Sequence, residues 1–195
     1  FSPFVTPAPF TNSGSLTVTG NPRVSNVSSG VPGGSFTNSG QLIKDGAGGA
    51  LVFENFGNPL TVTNTGTIDV RTGSVTVDAT GGTISFSTPG TITLRGTGVA
   101  DTFNVTGNLA LASTSVINTE LASAASGQFG KINVTGSVTL AGALNRSYVN
   151  SYTPATGDSL TVLTYGSRSG TFGSGTDTNS LALVYGATAL NLLKT

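Results

Sequence analysis

The chain has no cysteine and no histidine, so disulfides, thiolate chemistry and imidazole metal sites are excluded by inventory. Charge is almost as scarce: 8% of the residues are Asp, Glu, Lys or Arg, where an ordinary globular chain has about a quarter. The eight basic and eight acidic residues cancel, and no run of like sign occurs, which leaves nucleic acid without an electrostatic footprint. No stretch approaches the roughly twenty apolar residues of a membrane helix. A Gly-x-Ser-x-Gly elbow, a phosphate-binding loop and a calcium-binding Gly-Gly-x-Gly-x-Asp run are all missing. No cofactor and no metal are expected.

What the chain does contain is a short unit written over and over. Gly66-Thr-Ile-Asp-Val, Gly73-Ser-Val-Thr-Val, Gly82-Thr-Ile-Ser-Phe and Gly90-Thr-Ile-Thr-Leu each read as a glycine followed by a strand. Apolar residues fall two apart, with Thr, Ser or Asp between them, the period of a strand with one buried face. Disordered polar chains share the wealth of Gly, Ser, Thr and Asn, but not these regular Ile, Val and Leu pairs.

A longer period lies over the first. Thr11-Asn-Ser-Gly, Thr37-Asn-Ser-Gly and Thr63-Asn-Thr-Gly recur 26 residues apart, and Gly66 returns as Gly90 after 24. A repeat of this length, holding about three short strands, cannot bury its own apolar face, whereas stacked repeats build a continuous core. The expectation is an all-β fold, a right-handed parallel β-helix or β-solenoid with about 24–26 residues per coil. Asn and Gly at the corners suit a left-handed backbone, and stacked Asn12, Asn38 and Asn64 are placed to bond from coil to coil. The same spacing puts Asp45, Arg71 and Arg95 in one column, read as a solvated face of little net stability. Inward residues are expected to include Val18, Ile68, Val70, Val77, Ile84, Phe86, Ile92, Leu94, Val134, Val138, Leu140, Val162 and Leu163.

The unbroken rhythm argues for one domain in three parts. Residues 1–10 form an extended Pro- and Phe-rich arm or cap, 11–127 the solenoid coils, and 128–195 a closing part of the same solenoid. Within the last part come Lys131-Ile-Asn-Val-Thr-Gly, Tyr152-Thr-Pro-Ala-Thr-Gly-Asp, Leu160-Thr-Val-Leu and Ser169-Gly-Thr-Phe. This succession resembles the C-terminal passenger region of pertactin-like bacterial autotransporters and related secreted β-helix surface proteins, most specifically over Tyr152 to Phe172. The resemblance implies a right-handed β-helix, secretion, and a place at the bacterial cell surface.

Some β-helices degrade polysaccharides, using clustered acidic and basic groups. Here the carboxylates are never closer than nine residues in sequence, so a pair has to be made by stacking; Glu54 with Asp78 is the best candidate for glycosidase-like chemistry. Neither sits in a motif, and no catalytic residue is assigned: the chain is expected not to be an enzyme. The leading expectation is an extracellular structural or adhesive solenoid, self-assembling head to tail into a surface filament. Its subunit contact would join Phe1, Phe4, Val5 and Phe10 of one copy to Leu190 and Leu192 in the apolar final strand of the next. The alternative is a carbohydrate-binding module or polysaccharide-acting enzyme with a surface polysaccharide as partner. Tyr148, Tyr152, Tyr165 and Tyr185 would then be stacking platforms, although packing is the preferred role for them.

Overall fold

Short strands of two to six residues, separated by tight corners, let the chain turn three times and come back beside itself in register. The computed structural model describes residues 4–5, 9–26, 34–46, 48–55, 60–78, 84–96 and 101–195, with residues 4, 5, 26, 55 and 84–86 described through their backbone alone. Every named element is a β-strand, and neighbouring strands pair in parallel along the stack. The fold is a β-solenoid with three walls.

The first wall stacks Phe4–Val5, Arg23–Asn26, Ala50–Asn55, Ser74–Asp78, Thr102–Thr106, Lys131–Val134 and Ser159–Thr164. The second begins with Phe10–Asn12, Gly34–Asn38, Leu60–Asn64 and Ile84–Ser87. A bridge from Thr88 to Leu111 hands it on to Leu109–Ala110, Ser137–Leu140 and Ser167–Gly170. The third is a six-stranded sheet from Ser15–Val18 to Ala143–Tyr148.

Coil length matches the sequence period at first. Phe10, Phe36 and Val62 are register partners, and the ladder bonds between Asn12, Asn38 and Asn64 span 26 residues each. Later coils are longer than expected: the bond from Asn133 to Asn104 spans 29 residues and that from Thr164 to Asn133 spans 31. Part of the added length sits in the corner after Val116–Leu121, where Ala122 N donates to Gln128 O at 2.8 Å and Gly130 N to Glu120 O at 3.1 Å. This closed loop leaves the coil without changing the strands on either side of it.

The interior is one apolar cluster running the length of the stack. Ile68, Val70, Val77, Ile92, Leu94, Val134, Val138, Leu140, Val162 and Leu163 are buried as their alternation requires. Val18 is only partly buried, lying in the first strand of its wall, and the side chains of Ile84 and Phe86 lie outside the described residues. Val162 and Leu163 are consecutive, and a regular strand would turn one of them outward. A register shift between Thr161 and Leu163 allows both to be inward.

Two expectations about the corners need correction. Asn12, Asn38 and Asn64 are not left-handed; the non-glycine residues with positive φ are Asn150, Ser151 and Ser180 among those described. These asparagines are used for their side-chain amides. Nor do Gly40, Gly66 and Gly90 serve for φ: a Cβ there would come within 2.1, 2.1 and 2.3 Å of the carbonyl oxygen of the corner one coil earlier. Glycine at this corner permits coil-to-coil approach, while left-handed backbone is confined to other corners, as at Gly73 with φ 80°.

The stretch from Leu181 to Leu193 is also not one final strand. Ala182–Tyr185 and Ala189–Leu193 form an antiparallel hairpin, and the second of these pairs antiparallel with Ser159–Thr164. Parallel stacking ends there.

Candidate functional site

The stacked carboxylates foreseen for hydrolytic chemistry do meet. Glu54 and Asp78 are register partners in adjacent first-wall strands, so their backbones are about 4.8 Å apart. Glu54, however, is nearly buried and paired with the Arg23 guanidinium. A carboxylate tied into an ion pair with a neighbouring coil is held as a structural anion.

The column of Asp45, Arg71 and Arg95 also forms, since the backbone N–H of each donates one coil back, to Val18, Lys44 and Val70 respectively. It is more than a solvated face. Asp69, in the third wall, lies between the two arginines and is only 2% exposed. Arg71 Nε donates to its Oδ2 at 2.9 Å, while Arg95 donates through Nε to Oδ1 at 3.0 Å and through Nη2 to Oδ2 at 3.1 Å. Arg95 Nη1 reaches Glu120 at 2.7 Å. The like charges of Arg71 and Arg95, neighbours in the column, are thereby bridged by a shared carboxylate. Burial works to raise the Asp69 carboxyl, but the bonds from Arg95 and then Arg71 more than reverse it, so its pKa lies below the usual carboxylate range. Bonding to Asp69 likewise raises the Arg95 guanidinium.

All four tyrosines are engaged in packing. Tyr165 is buried, and its single hydroxyl proton is shared between the carbonyls of Ala189 at 2.8 Å and Gly186 at 3.0 Å, pinning the final hairpin. Tyr185 has Arg168 over its ring at 4.7 Å, and its hydroxyl accepts from Phe172 N at 3.1 Å. Tyr152 donates to Asp158 at 2.7 Å, and the same carboxylate oxygen accepts Ala155 N at 2.9 Å, which closes the loop of the Tyr-Thr-Pro-x-x-Gly-Asp motif. Burial and the bond to Asp158 push the Tyr152 hydroxyl up to about 12. Tyr148 donates to Asp177, which also accepts Asn179 N and Leu181 N at 3.0 and 2.6 Å and lies 3.6 Å from Arg146.

The two ends differ. Of the residues expected to form a subunit contact, Phe1 lies outside the described residues, and Phe4–Val5 forms the first first-wall strand beside Val24 and Ser25. Phe10 is 43% exposed and stacks on Phe36, with centroids 5.5 Å apart and planes at 17°. Beneath it a cavity of about 190 Å³ opens among Phe10, Leu16, Val24, Phe36, Leu51 and Phe53. Leu190 and Leu192, by contrast, are 0% exposed inside the final hairpin, so they present nothing to a second copy. Val184, at 41%, is the exposed large apolar side chain of that hairpin.

Two features escaped the sequence reading although a signal existed. Lys44 follows Leu42 by two, which places it inward by alternation. There it is 0% exposed and donates to the carbonyls of Asp45, Gly48 and Thr72 at 3.1, 3.0 and 3.4 Å. Burial lowers its pKa, opposed by the nearby Asp45 and Asp101. Lys131 is the one basic side chain with no hydrogen-bond or ion-pair partner among the described residues. It lines an outward groove of about 670 Å³ with Thr102, Phe129, Asn133, Ser159 and Thr161. No group of His, Cys, Asp and Glu able to hold a metal ion, and no helix long and apolar enough to cross a membrane, occurs among the described residues.

Comparison with family models, with curated proteins and with solved structures finds no match.

Proposed function

We propose that this chain is a non-enzymatic structural or adhesive solenoid of the bacterial cell exterior, acting through its rigid shaft and its ends. One observation carries the reading. The carboxylates of Asp45, Glu54, Asp69, Glu120 and Asp177 are each taken up by an Arg or a Tyr from another coil of the shaft, and that of Asp158 closes its own loop. Placement outside the cell rests on the resemblance over Tyr152 to Phe172. Leu190 and Leu192 are buried inside the final antiparallel hairpin, so the reading includes no filament joint through them. Incubation with a panel of bacterial and plant polysaccharides is expected to release neither reducing ends nor unsaturated products. Release abolished by Glu54→Gln would overturn the proposal, as would failure of an antibody to label intact producing cells.

A second reading, binding of an acidic surface polysaccharide, is favoured by the groove around Lys131. A free ammonium, a phenyl ring and several hydroxyls along one wall match a uronate chain. Glycan-array binding lost in Lys131→Ala but kept in Tyr152→Phe would support this reading. An empty array, or binding indifferent to Lys131, would remove it.

A further inference from the structure

The groove beside Lys131 lies on the outward face of the first wall, where residues two apart in a strand share a face and register partners stack from coil to coil. Thr102 and Lys131 are register partners, as are Asn104 and Asn133. Ser159–Thr164 is the next strand of the wall, and Ser159 and Thr161 line the groove from it. Along the stack, Lys131 therefore stands between a hydroxyl rung one coil earlier and a hydroxyl rung one coil later. A volume of about 670 Å³ suits a short segment of a polymer.

The floor of the groove is fixed from within. Asn133 Nδ2 donates to Asn104 Oδ1 at 2.9 Å, and Asn133 Oδ1 accepts Thr164 Oγ1 at 3.0 Å. Asn104 Nδ2 donates in turn to Thr102 Oγ1 at 3.2 Å and to Thr76 Oγ1 at 3.3 Å. This ladder holds both columns in place and leaves Asn133 an amide hydrogen with no partner among the described residues. A side wall comes from the loop after Val116–Leu121, which contributes Ala124, Ser126 and Phe129. The loop is closed by its own bonds, from Ala122 N to Gln128 O at 2.8 Å and from Gln128 N to Ala125 O at 3.1 Å, so the wall is preorganised.

The charge pattern of an occupant follows from the lining. Lys131 is its one ionisable side chain, and no carboxylate there takes up the ammonium. Every uronate brought into the groove gives up hydration, and the loss is compensated only where the carboxylate meets a cation. A chain with a uronate at each residue would set carboxylates over Thr102 and over Ser159, where nothing charged answers them.

We propose that the groove takes a segment of a mixed polysaccharide in which a single uronate is flanked by neutral sugars, the chain running along the stack and across the strands. This rests on the second reading above, that the groove is an acidic-polysaccharide site. The uronate carboxylate pairs with the Lys131 ammonium, and Asn133 donates its spare amide hydrogen to the same sugar. The Phe129 ring covers an apolar sugar face, while Thr102 and Ser159 exchange hydrogen bonds with the hydroxyls of the neutral neighbours. Coil register thus reads the spacing of charge along the polymer, one rung lying about 4.8 Å from the next.

The test titrates the full chain with three hexasaccharides: one alternating glucuronate with N-acetylglucosamine, one of galacturonate throughout, and one of N-acetylglucosamine throughout. Calorimetry at physiological ionic strength should rank the alternating probe about tenfold or more above both others. Lys131→Gln should weaken its binding about tenfold or more, the loss expected for one charge-assisted hydrogen bond, and leave the melting curve of the chain unchanged. In amide NMR spectra the alternating probe should shift Thr102, Lys131 and Ser159 together; shifts confined to Lys131 would overturn the arrangement along the stack. Equal or tighter binding by the galacturonate probe, still lost in Lys131→Gln, overturns the charge spacing and leaves the acidic-polysaccharide site standing. Binding indifferent to Lys131→Gln, neutral-probe binding as tight as that of the alternating probe, or no binding by any probe at millimolar concentration overturns both.

Discussion

Arg95 grips the carboxylate of Asp69 with two donors, at 3.0 and 3.1 Å, although the two stand 26 residues apart in sequence. One coil of the solenoid brings them together. Asp69 is buried by the arginines it binds, so each partner depends on the stack being in register. Removing Arg95 leaves a buried carboxylate with Arg71 as its remaining guanidinium. Arg95→Met is therefore expected to cost about 2 kcal/mol in urea unfolding at neutral pH. Adding Asp69→Asn should recover part of that loss, with a coupling energy of about 1 kcal/mol or more. Strict additivity of the two changes would show that the bridge contributes nothing.

The asparagine ladder makes a ranked prediction. Asn38 is fully buried, donates twice and accepts from Asn12; Asn12 donates twice but receives nothing among the described residues. Asn38→Ala leaves more groups unsatisfied and should cost about 2–3 kcal/mol, Asn12→Ala about 1 kcal/mol. Chemical denaturation of the two variants measures the order, and the reverse order would sink the directional reading of the ladder.

Backbone approach at the corners gives a sharper contrast. A Cβ on Gly66 lies 2.1 Å from the Gly40 carbonyl oxygen, a backbone atom that cannot rotate away. Gly66→Ala should lower stability by about 2 kcal/mol or more through forced separation of coils. Gly14→Ala should be within about 0.5 kcal/mol of the parent. Similar melting temperatures for the two would contradict the close stacking at this column.

Acid should unfold the protein in a particular window. The carboxyls of Asp69 and Asp177 are both held below the usual range: burial opposes this in each, and it is outweighed by bonds from Arg95 and Arg71 in one, and from Tyr148, Asn179 N and Leu181 N in the other. For an acid whose folded pKa is depressed, the stabilisation is complete above the unfolded value near about 3.9 and disappears as pH falls through the folded value. With no histidine in the chain, no side chain of ordinary pKa titrates between about pH 5 and 8. The urea midpoint should stay flat from about pH 6 to 8 and fall below about pH 4, less steeply in Asp69→Asn/Asp177→Asn. An acid limb of unchanged steepness in that variant would show that other carboxylates carry it.

Much of this molecule is written in one dimension. The walls, the 26-residue coil of the first half and the Asn12–Asn38–Asn64 ladder were legible because a solenoid repeats the same neighbour contacts, so spacing in sequence equals stacking in space. The inward place of Lys44 was signalled by alternation with Leu42 but escaped the reading, because a lysine is rarely fully buried. Other features required the fold. Asp69 alternates as an outward residue, yet it is buried and bonded by Arg71 and Arg95, which arrive from its own coil and the next. Leu181 to Leu193 reads as one apolar strand because hydrophobicity carries no sign for chain direction. The turn at Gly186, closed by its N–H to Ala189 O at 2.8 Å and by the Tyr165 hydroxyl, reverses the chain and buries Leu190 and Leu192. The sequence by itself determined the period and what stacks on what. The tertiary structure decided what buries Asp69 and how parallel stacking gives way to the final hairpin, since neither contact repeats along the chain.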